Sequence, residues 1–433
     1  MRKGWGKKAL GDVCSFSNGL WTGKKPPFVE VGVIRNTNFT KACTLNFSDV
    51  VILLVEKSQF EKRKLQFGDI ILEKSGGGPK QPVGRVVVFD KEEGDFSYSN
   101  FTSVIRIKDR SQIDFQFLHK FLFHEYVSGS TEKMQSHSTG IRNLKFDEYK
   151  GIEVPIPPLP EQQRIVAILD EAFEAIDQAK ANTQKNLQNA SELFESYLQG
   201  MFESKIHGTK SETLESLCDL IVDCEHKTAP TQETGYPSIR TPNIGKGNLV
   251  LNGVYRVSHE TYLKWTRRAV PQAGDLILAR EAPAGNIAVI PDNLEVCLGQ
   301  RTVLIRPKKE RFVSMYLAYL ILSKEVQQRL LSHSHGATVE HVNMKDIRAF
   351  KIYNLSTVEE QQRVVNQINA LSAETKQLEE NYRKKLERLE ELKKSILQKA
   401  FSGELTSPER VASDNDGCNP SNKKGELTSP ERV

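Results

Sequence analysis

Two loops in this 433-residue chain carry residue types suited to gripping an anion. The first runs Glu73-Lys74-Ser75-Gly76-Gly77-Gly78-Pro79-Lys80 with Arg85 beyond it, and the second runs Arg280-Glu281-Ala282-Pro283-Ala284-Gly285-Asn286. Glycine lets a backbone approach a phosphate closely, and a flanking Lys or Arg supplies the counter-charge. A flexible surface turn is the plainer reading of the same composition. Upstream of each loop stands an Arg-Asn pair: Arg35, Asn36 and Asn38 in the first half, Arg240, Thr241 and Asn243 in the second. Arg can take guanine and Asn adenine through two hydrogen bonds in the major groove. Equally, such residues cap a strand or hold a turn. More variable neighbours offer reading groups of their own: Trp21, Lys24 and Lys25, and opposite them Glu225, His226 and Lys227.

Other chemistries fit less well. Asp69, Glu73 and Lys74 suggest a metal-dependent nuclease, where paired carboxylates hold magnesium beside a lysine. The matching residues in the second half are Asp275, Ala279 and Arg280, so one acid is missing while the base stays. His333, His335 and His341 lie close in sequence, as do Cys218, Cys224 and His226, without zinc-finger spacing. Neither loop is a GxxxxGK[ST] phosphate loop, and no Gly-x-Ser-x-Gly elbow occurs. Cys14, Cys43, Cys218, Cys224, Cys297 and Cys418 form no CxxC pair, which points to reduced thiols in a cytoplasmic setting.

The elements that must position these residues come as a duplication. Glu161-Gln162-Gln163-Arg164 opens a run to Phe202 with no proline, and Glu360-Gln361-Gln362-Arg363 opens its copy 199 residues later, ending at Phe401. Apolar residues recur at steps of three and four: Ile165, Leu169, Ala172, Ile176, Ala179, Thr183, Ala190, Leu193 or Phe194, and Tyr197. The second copy reads Val364, Ile368, Leu371, Thr375, Leu378, Tyr382, Leu389, Leu392 and Ile396. That spacing predicts two coiled-coil helices, each about 60 Å long. Ahead of each helix lies a strand-rich segment, and the landmarks of the two segments also match, Gly68-Asp69-Ile70-Ile71-Leu72 with Gly274-Asp275-Leu276-Ile277-Leu278. The offsets drift there, so loops differ while a scaffold persists.

The expected organisation is α+β with a pseudo-two-fold internal repeat. Its parts are a first globular domain (1–156), a first long helix (157–205), a second domain (206–354), a second helix (355–402) and a polar tail (403–433). The tail repeats Gly403–Val411 at Gly425–Val433, to which no role is assigned. Net charge is +5 overall, with +7 over residues 1–150, +4 over 207–355 and −4 over 161–202. The globular segments, not the first helix, are therefore the parts suited to a polyanion. No apolar run approaches membrane-spanning length, and residues 1–10 carry no signal-peptide core.

With these residues assembled, the chain resembles the specificity subunit of Type I restriction-modification enzymes. The resemblance runs from Leu10 to Leu405 and rests on Ile156-Pro157-Pro158-Leu159-Pro160-Glu161-Gln162-Gln163-Arg164 and on Ser356-Thr357-Val358-Glu359-Glu360-Gln361-Gln362-Arg363. The second copy lacks the proline run. The resemblance implies a chain with no catalysis of its own, in which each globular domain is a target recognition domain reading half of a split double-stranded DNA site. It implies that the helices pack antiparallel, set the spacing, and help dock modification subunits. Partners would bring S-adenosylmethionine for methylation, and restriction subunits ATP and Mg for translocation and cleavage. The competing reading is a coiled-coil scaffold whose duplicated domains bind proteins.

Overall fold

The computed structural model describes residues 5–78, 81–138, 141–205, 208–281, 283–332 and 341–406. The chain divides into two compact units, Met1–Asn182 with Lys385–Val433, and Thr183–Lys384. Each unit holds one globular domain and a stretch of both long helices, which span Leu159–Phe202 and Val358–Ser402. The first helix starts inside the proline run. Proline is tolerated in a first turn, where its missing N–H has no intrahelical partner to lose.

In the first unit, β-branched and leucine runs form an antiparallel four-stranded sheet. Its strands are β2 (Cys14–Asn18), β9 (Thr102–Ile107), β5 (Ile70–Glu73) and β7 (Val86–Val88), in that order, where β1 is Gly6–Ala9. A second sheet sets β4 (Val51–Glu56) antiparallel to β3 (Phe28–Ile34), which runs parallel to β8 (Phe96–Tyr98). A third joins β6 (Ser75–Gly77) to the hairpin of β10 (Gln135–Ser138) and β11 (Ile141–Leu144), while β1 pairs with β12 (Glu153–Ile156). The expected helix over Phe115–Val127 forms, capped by Asp114, whose Oδ1 accepts the N–H groups of Gln116 and Phe117 at 2.9 Å each.

The second unit repeats the plan. After β13 (Ser211–Thr213), β14 (Cys218–Asp223) joins β20 (Thr302–Pro307), β17 (Leu276–Ala279) and β18 (Ile287–Val289) in one sheet. The smaller sheet comprises β16 (Arg256–Val257), β15 (Tyr236–Ile239) and β19 (Cys297–Leu298), and β13 pairs with β21 (Lys351–Tyr353). The Gly-Asp landmark is a corner built the same way twice. Gly68 and Gly274 take φ of +83° and +86°, which an L side chain would strain. Asp69 then pairs with Arg106 at 2.6 Å and Asp275 with Arg306 at 2.7 Å, both carboxylates being buried.

The helices do not bury a uniform stripe. Ile165, Val166, Leu169 and Phe173 join the core of the first domain together with Leu397, Ala400 and Phe401. In the second unit Leu198, Phe202, Val365 and Ile368 do the same. Phe401 meets Phe117 and Phe121 edge-on, and Phe202 meets Tyr316. Leu193, Leu378 and Leu392, expected in the seam, face solvent at 57%, 43% and 46% exposure. A straight helix drifts about 20° per heptad from a 3.5-residue repeat, so the buried face rotates along its length. Within the first unit Lys180 pairs with Glu390 (2.6 Å) and Asp177 with Lys393 (3.6 Å); within the second, Ser191 bonds Glu379 (2.8 Å). In the first unit, advancing three residues on one helix means retreating three on the other, which is antiparallel packing. Shifting Lys180 and Glu390 by the 199-residue repeat yields Glu379 and Ser191, so the two units use duplicated contacts.

The glutamine motif is explained by its first amide. Gln162 is fully buried; its Oε1 accepts Asp114 N–H (2.9 Å), and its Nε2 donates to the carbonyls of Gln112 and Pro157 (2.8 Å each). Gln361 repeats this with Val313 N–H (2.9 Å) and the carbonyls of Arg311 (2.8 Å) and Ser356 (2.9 Å). Each glutamine stitches the start of a long helix to the loop before its domain's packing helix.

Candidate nucleic-acid interface

The Arg-Asn pairs sit at tight 3-10 turns, Asn36–Asn38 and Thr241–Asn243. Asn38 is buried; its Oδ1 accepts Arg35 N–H at 2.9 Å, and its Nδ2 donates to the carbonyls of Asp49 (2.9 Å) and Asn46 (3.3 Å). Asn243 does the same with Arg240 N–H (3.2 Å) and the Val250 carbonyl (3.1 Å). Both amides serve the turn, which places Asn38 and Asn243 as scaffold where adenine contact was expected. Thr241 is buried in the same turn, and Asn36 points Nδ2 at Glu73 (3.4 Å). The two guanidinium groups differ. Arg35 reaches exposed Asp49 (3.4 Å), while Arg240 lies over the Tyr255 ring at 4.1 Å.

Arg85 turns inward, so the expectation of a phosphate contact fails. Its Nε and Nη2 grip Glu73 at 2.7 and 2.9 Å, and Nη1 and Nη2 also donate to the carbonyls of Phe39 and Asn36. Four of its five N–H donors are used inside the fold, and the group is buried beneath them, away from any DNA. The same pair, with Asp69 on Arg106, accounts for both acids of the discarded nuclease reading. Among the described residues no group of three or more His, Cys, Asp or Glu side chains is placed to hold a metal.

The glycine loops resolve into two different things. In the first, Ser75–Gly77 is strand β6 rather than a loose turn, with Ser75 Oγ on Asn143 Oδ1 at 2.5 Å. Lys74 donates Nζ to Asn18 Oδ1 at 2.7 Å, and partial burial holds its pKa below the usual lysine range. In the second, Arg280 is buried, donating to Asp223 Oδ2 (2.7 Å), the Val342 carbonyl (2.9 Å) and His341 Nε2 (3.0 Å). Asn286 pins its loop to the Ile244 carbonyl at 3.0 Å. Arg280 and Asn286 are therefore scaffold, contrary to expectation. Lys80 lies outside the described residues, as do His333 and His335.

Strand pairing shows that Asn18 and Asp223 are the same position in the two domains: Asn18 faces Ser103 on β9, and Asp223 faces Val303 on β20. Lys74–Asn18 and Arg280–Asp223 are thus one contact, duplicated. In the second domain the cation is balanced by a carboxylate; in the first it meets a neutral amide that leaves its charge uncompensated. Sequence reading missed Asn18 and Asp223 because they lie more than fifty residues from the cations they meet. Their shared place at the ends of β2 and β14 was the available signal.

The variable loops are open to solvent. Trp21 is 65% exposed, and Lys24 and Lys25 are exposed, with their backbone N–H groups held by Glu56 Oε2 at 3.3 and 3.2 Å. Across the duplication, Lys227 is exposed, His226 lies 3.3 Å from Asp223, and Glu225 is 3.7 Å from both Arg267 and Arg268. One domain thus presents an aromatic beside exposed lysines, and the other a mixed cluster of both signs.

A family profile described as the Type I restriction modification DNA specificity domain matches residues 2–189 and 210–388. The chain is 24% identical over 323 residues to the EcoBI specificity subunit of Escherichia coli, spanning 67% of each protein. It is 24% identical over 414 residues to the EcoKI specificity subunit of Escherichia coli K12, covering 89% of this chain and 83% of that one. Among solved structures, a chain of a type I R-M system aligns with a TM-score of 0.75 and 18% identity over 94% of this chain and 99% of that one. The HsdS subunit of Thermoanaerobacter tengcongensis aligns with a TM-score of 0.60 and 20% identity over 94% and 98%.

Proposed function

The chain belongs to the Type I restriction modification DNA specificity family, and from that premise we propose that it reads a bipartite DNA target, one half through each globular domain. It is a recognition chain rather than a catalytic one. The observation that carries the two-part reading is the contrast inside the duplication. Scaffold contacts recur pair for pair, Asp69–Arg106 with Asp275–Arg306 and Gln162 with Gln361, while the exposed groups differ. A fixed frame with two different faces suits two different half-sites.

Within this reading, Lys24, Lys25, Lys74 and Lys227 contact backbone phosphates, and Trp21 and Arg35 are the candidates for base readout. Phosphate contacts position a protein without carrying sequence information, and each contributes about 0.9 to the slope of log affinity against log salt. The long helices space the two domains and dock the modification subunits. Those partners and the restriction subunits supply the S-adenosylmethionine, ATP and Mg chemistry in the cytoplasm. Among the described residues no helix is long and apolar enough to cross a membrane.

The decisive experiment is methylome sequencing of cells carrying loop variants. Replacing Trp21–Lys25 changes one half of the methylated motif and leaves the other intact; if both halves change together, the modular reading fails. Lys74→Ala lowers the salt slope by about one with the motif unchanged.

A further inference from the structure

Within the first unit a cavity of about 260 Å³ opens between the helix ladder and the loop following Phe39. Four lysines line it, Lys41, Lys180, Lys393 and Lys394, against two acids, Asp177 and Glu390. The acids are already taken. Lys180 holds Glu390 at 2.6 Å and Asp177 at 4.0 Å, and Lys393 holds Asp177 at 3.6 Å while its ammonium lies 4.5 Å from the Phe173 ring centre. Among the described residues neither Lys41 nor Lys394 has an acidic partner.

The duplication supplies an internal control. Lys41 follows Phe39 by two residues just as Lys246 follows Ile244, and Lys394 corresponds through the 199-residue helix repeat to Glu195. Lys246 and Glu195 form an ion pair at 3.2 Å. Where the second unit closes this corner with a salt bridge, the first places two ammonium groups around a cavity. Two like charges on one rim are unfavourable unless an anion lies between them. Lysines act as mobile point donors that suit a phosphate.

We infer that this cavity is a phosphate-binding site, present in the first unit and replaced by a salt bridge in the second. The phosphate belongs either to the DNA backbone or to a free phosphorylated molecule. The site rests on the lysine geometry and not on the DNA reading, so either can fail alone.

The test uses the full chain and pyrophosphate, measured by equilibrium dialysis. Lys394→Glu installs the second unit's pairing opposite Lys41. It should weaken pyrophosphate binding at least roughly tenfold, as two units of charge change at about 5 Å in a water-like dielectric. Glu195→Lys should raise the stoichiometry from one to two. Thermal unfolding checks that both variants fold, since Lys394 and Glu195 are exposed. An unmodified chain that binds no pyrophosphate at millimolar concentration, or a Lys394→Glu chain that binds it equally well, overturns the site. The source is then read from DNA binding by the assembled complex. A fall of about one in the salt slope for Lys394→Glu assigns the group to the DNA backbone. An unchanged slope alongside lost pyrophosphate binding assigns it to a free phosphate compound.

Discussion

Removing the Gln162 amide should unlatch the first domain from its helix. In Gln162→Ala the Asp114 N–H and the carbonyls of Gln112 and Pro157 lose their partner in a place that is fully buried. A buried polar group left unpaired costs about 1–3 kcal/mol. The cavity left by alanine admits water to part of the set, so the loss should reach roughly 3–5 kcal/mol rather than the full sum. Against a typical domain stability of about 5–15 kcal/mol, that is a large fraction. Gln162→Glu should be no better, because a carboxylate keeps the Asp114 bond but turns an acceptor toward two carbonyls. The neighbouring Gln163 is exposed, and Gln163→Ala should change stability by less than about 0.5 kcal/mol. Urea unfolding followed by near-ultraviolet circular dichroism compares the three variants, and Gln361→Ala with Gln362→Ala repeats the comparison in the second unit. If Gln162→Ala is no more destabilising than Gln163→Ala, the latch is not what holds this joint.

Three further outcomes follow from the buried groups. Arg85→Met should cost about 3–5 kcal/mol by stranding Glu73, and Glu73→Leu with Arg85→Met should recover much of it, as read by denaturant midpoints of the single and double variants. Burial pushes the thiols of Cys14 and Cys218 up to about 12 and that of Cys43 up to about 11. A maleimide at pH 7 should leave these three unmodified in the native chain and label them once urea unfolds it, with peptide mass mapping as the readout. Burial, with a smaller contribution from Lys120, lowers the pKa of His119 from 6.5 to about 4. Its neutral ring bonds the Val86 carbonyl at 3.2 Å. The unfolded chain takes up this proton first as pH falls, so the stabilisation is complete above pH 6.5 and is lost between about 6.5 and 4. It should amount to at most about 3 kcal/mol, and His119→Gln should flatten that part of the stability profile.

Much was legible in the sequence because the chain is a duplication. An ungapped helical repeat with three-and-four spacing, the Gly-Asp corners and the β-branched runs are local patterns, and local geometry follows from them without knowledge of the rest. Comparing the halves also told against the nuclease reading, since Ala279 stands where Glu73 does. What the sequence alone left open was the direction of each charged side chain. Arg85, Arg280, Asn38 and Asn243 read as groups for DNA, yet each is turned into the fold by a partner distant in sequence or by the turn itself. Lys74 and Arg280 occupy the same position, and only the strand ends carrying Asn18 and Asp223 decide that one meets a neutral amide and the other a compensating carboxylate. Leu193 and Leu392 fit the apolar spacing but lie outside, because helix drift and the domain cores choose the buried face. Side-chain direction and charge balance depend on residues brought together by strand pairing and helix packing, which tertiary structure alone determines.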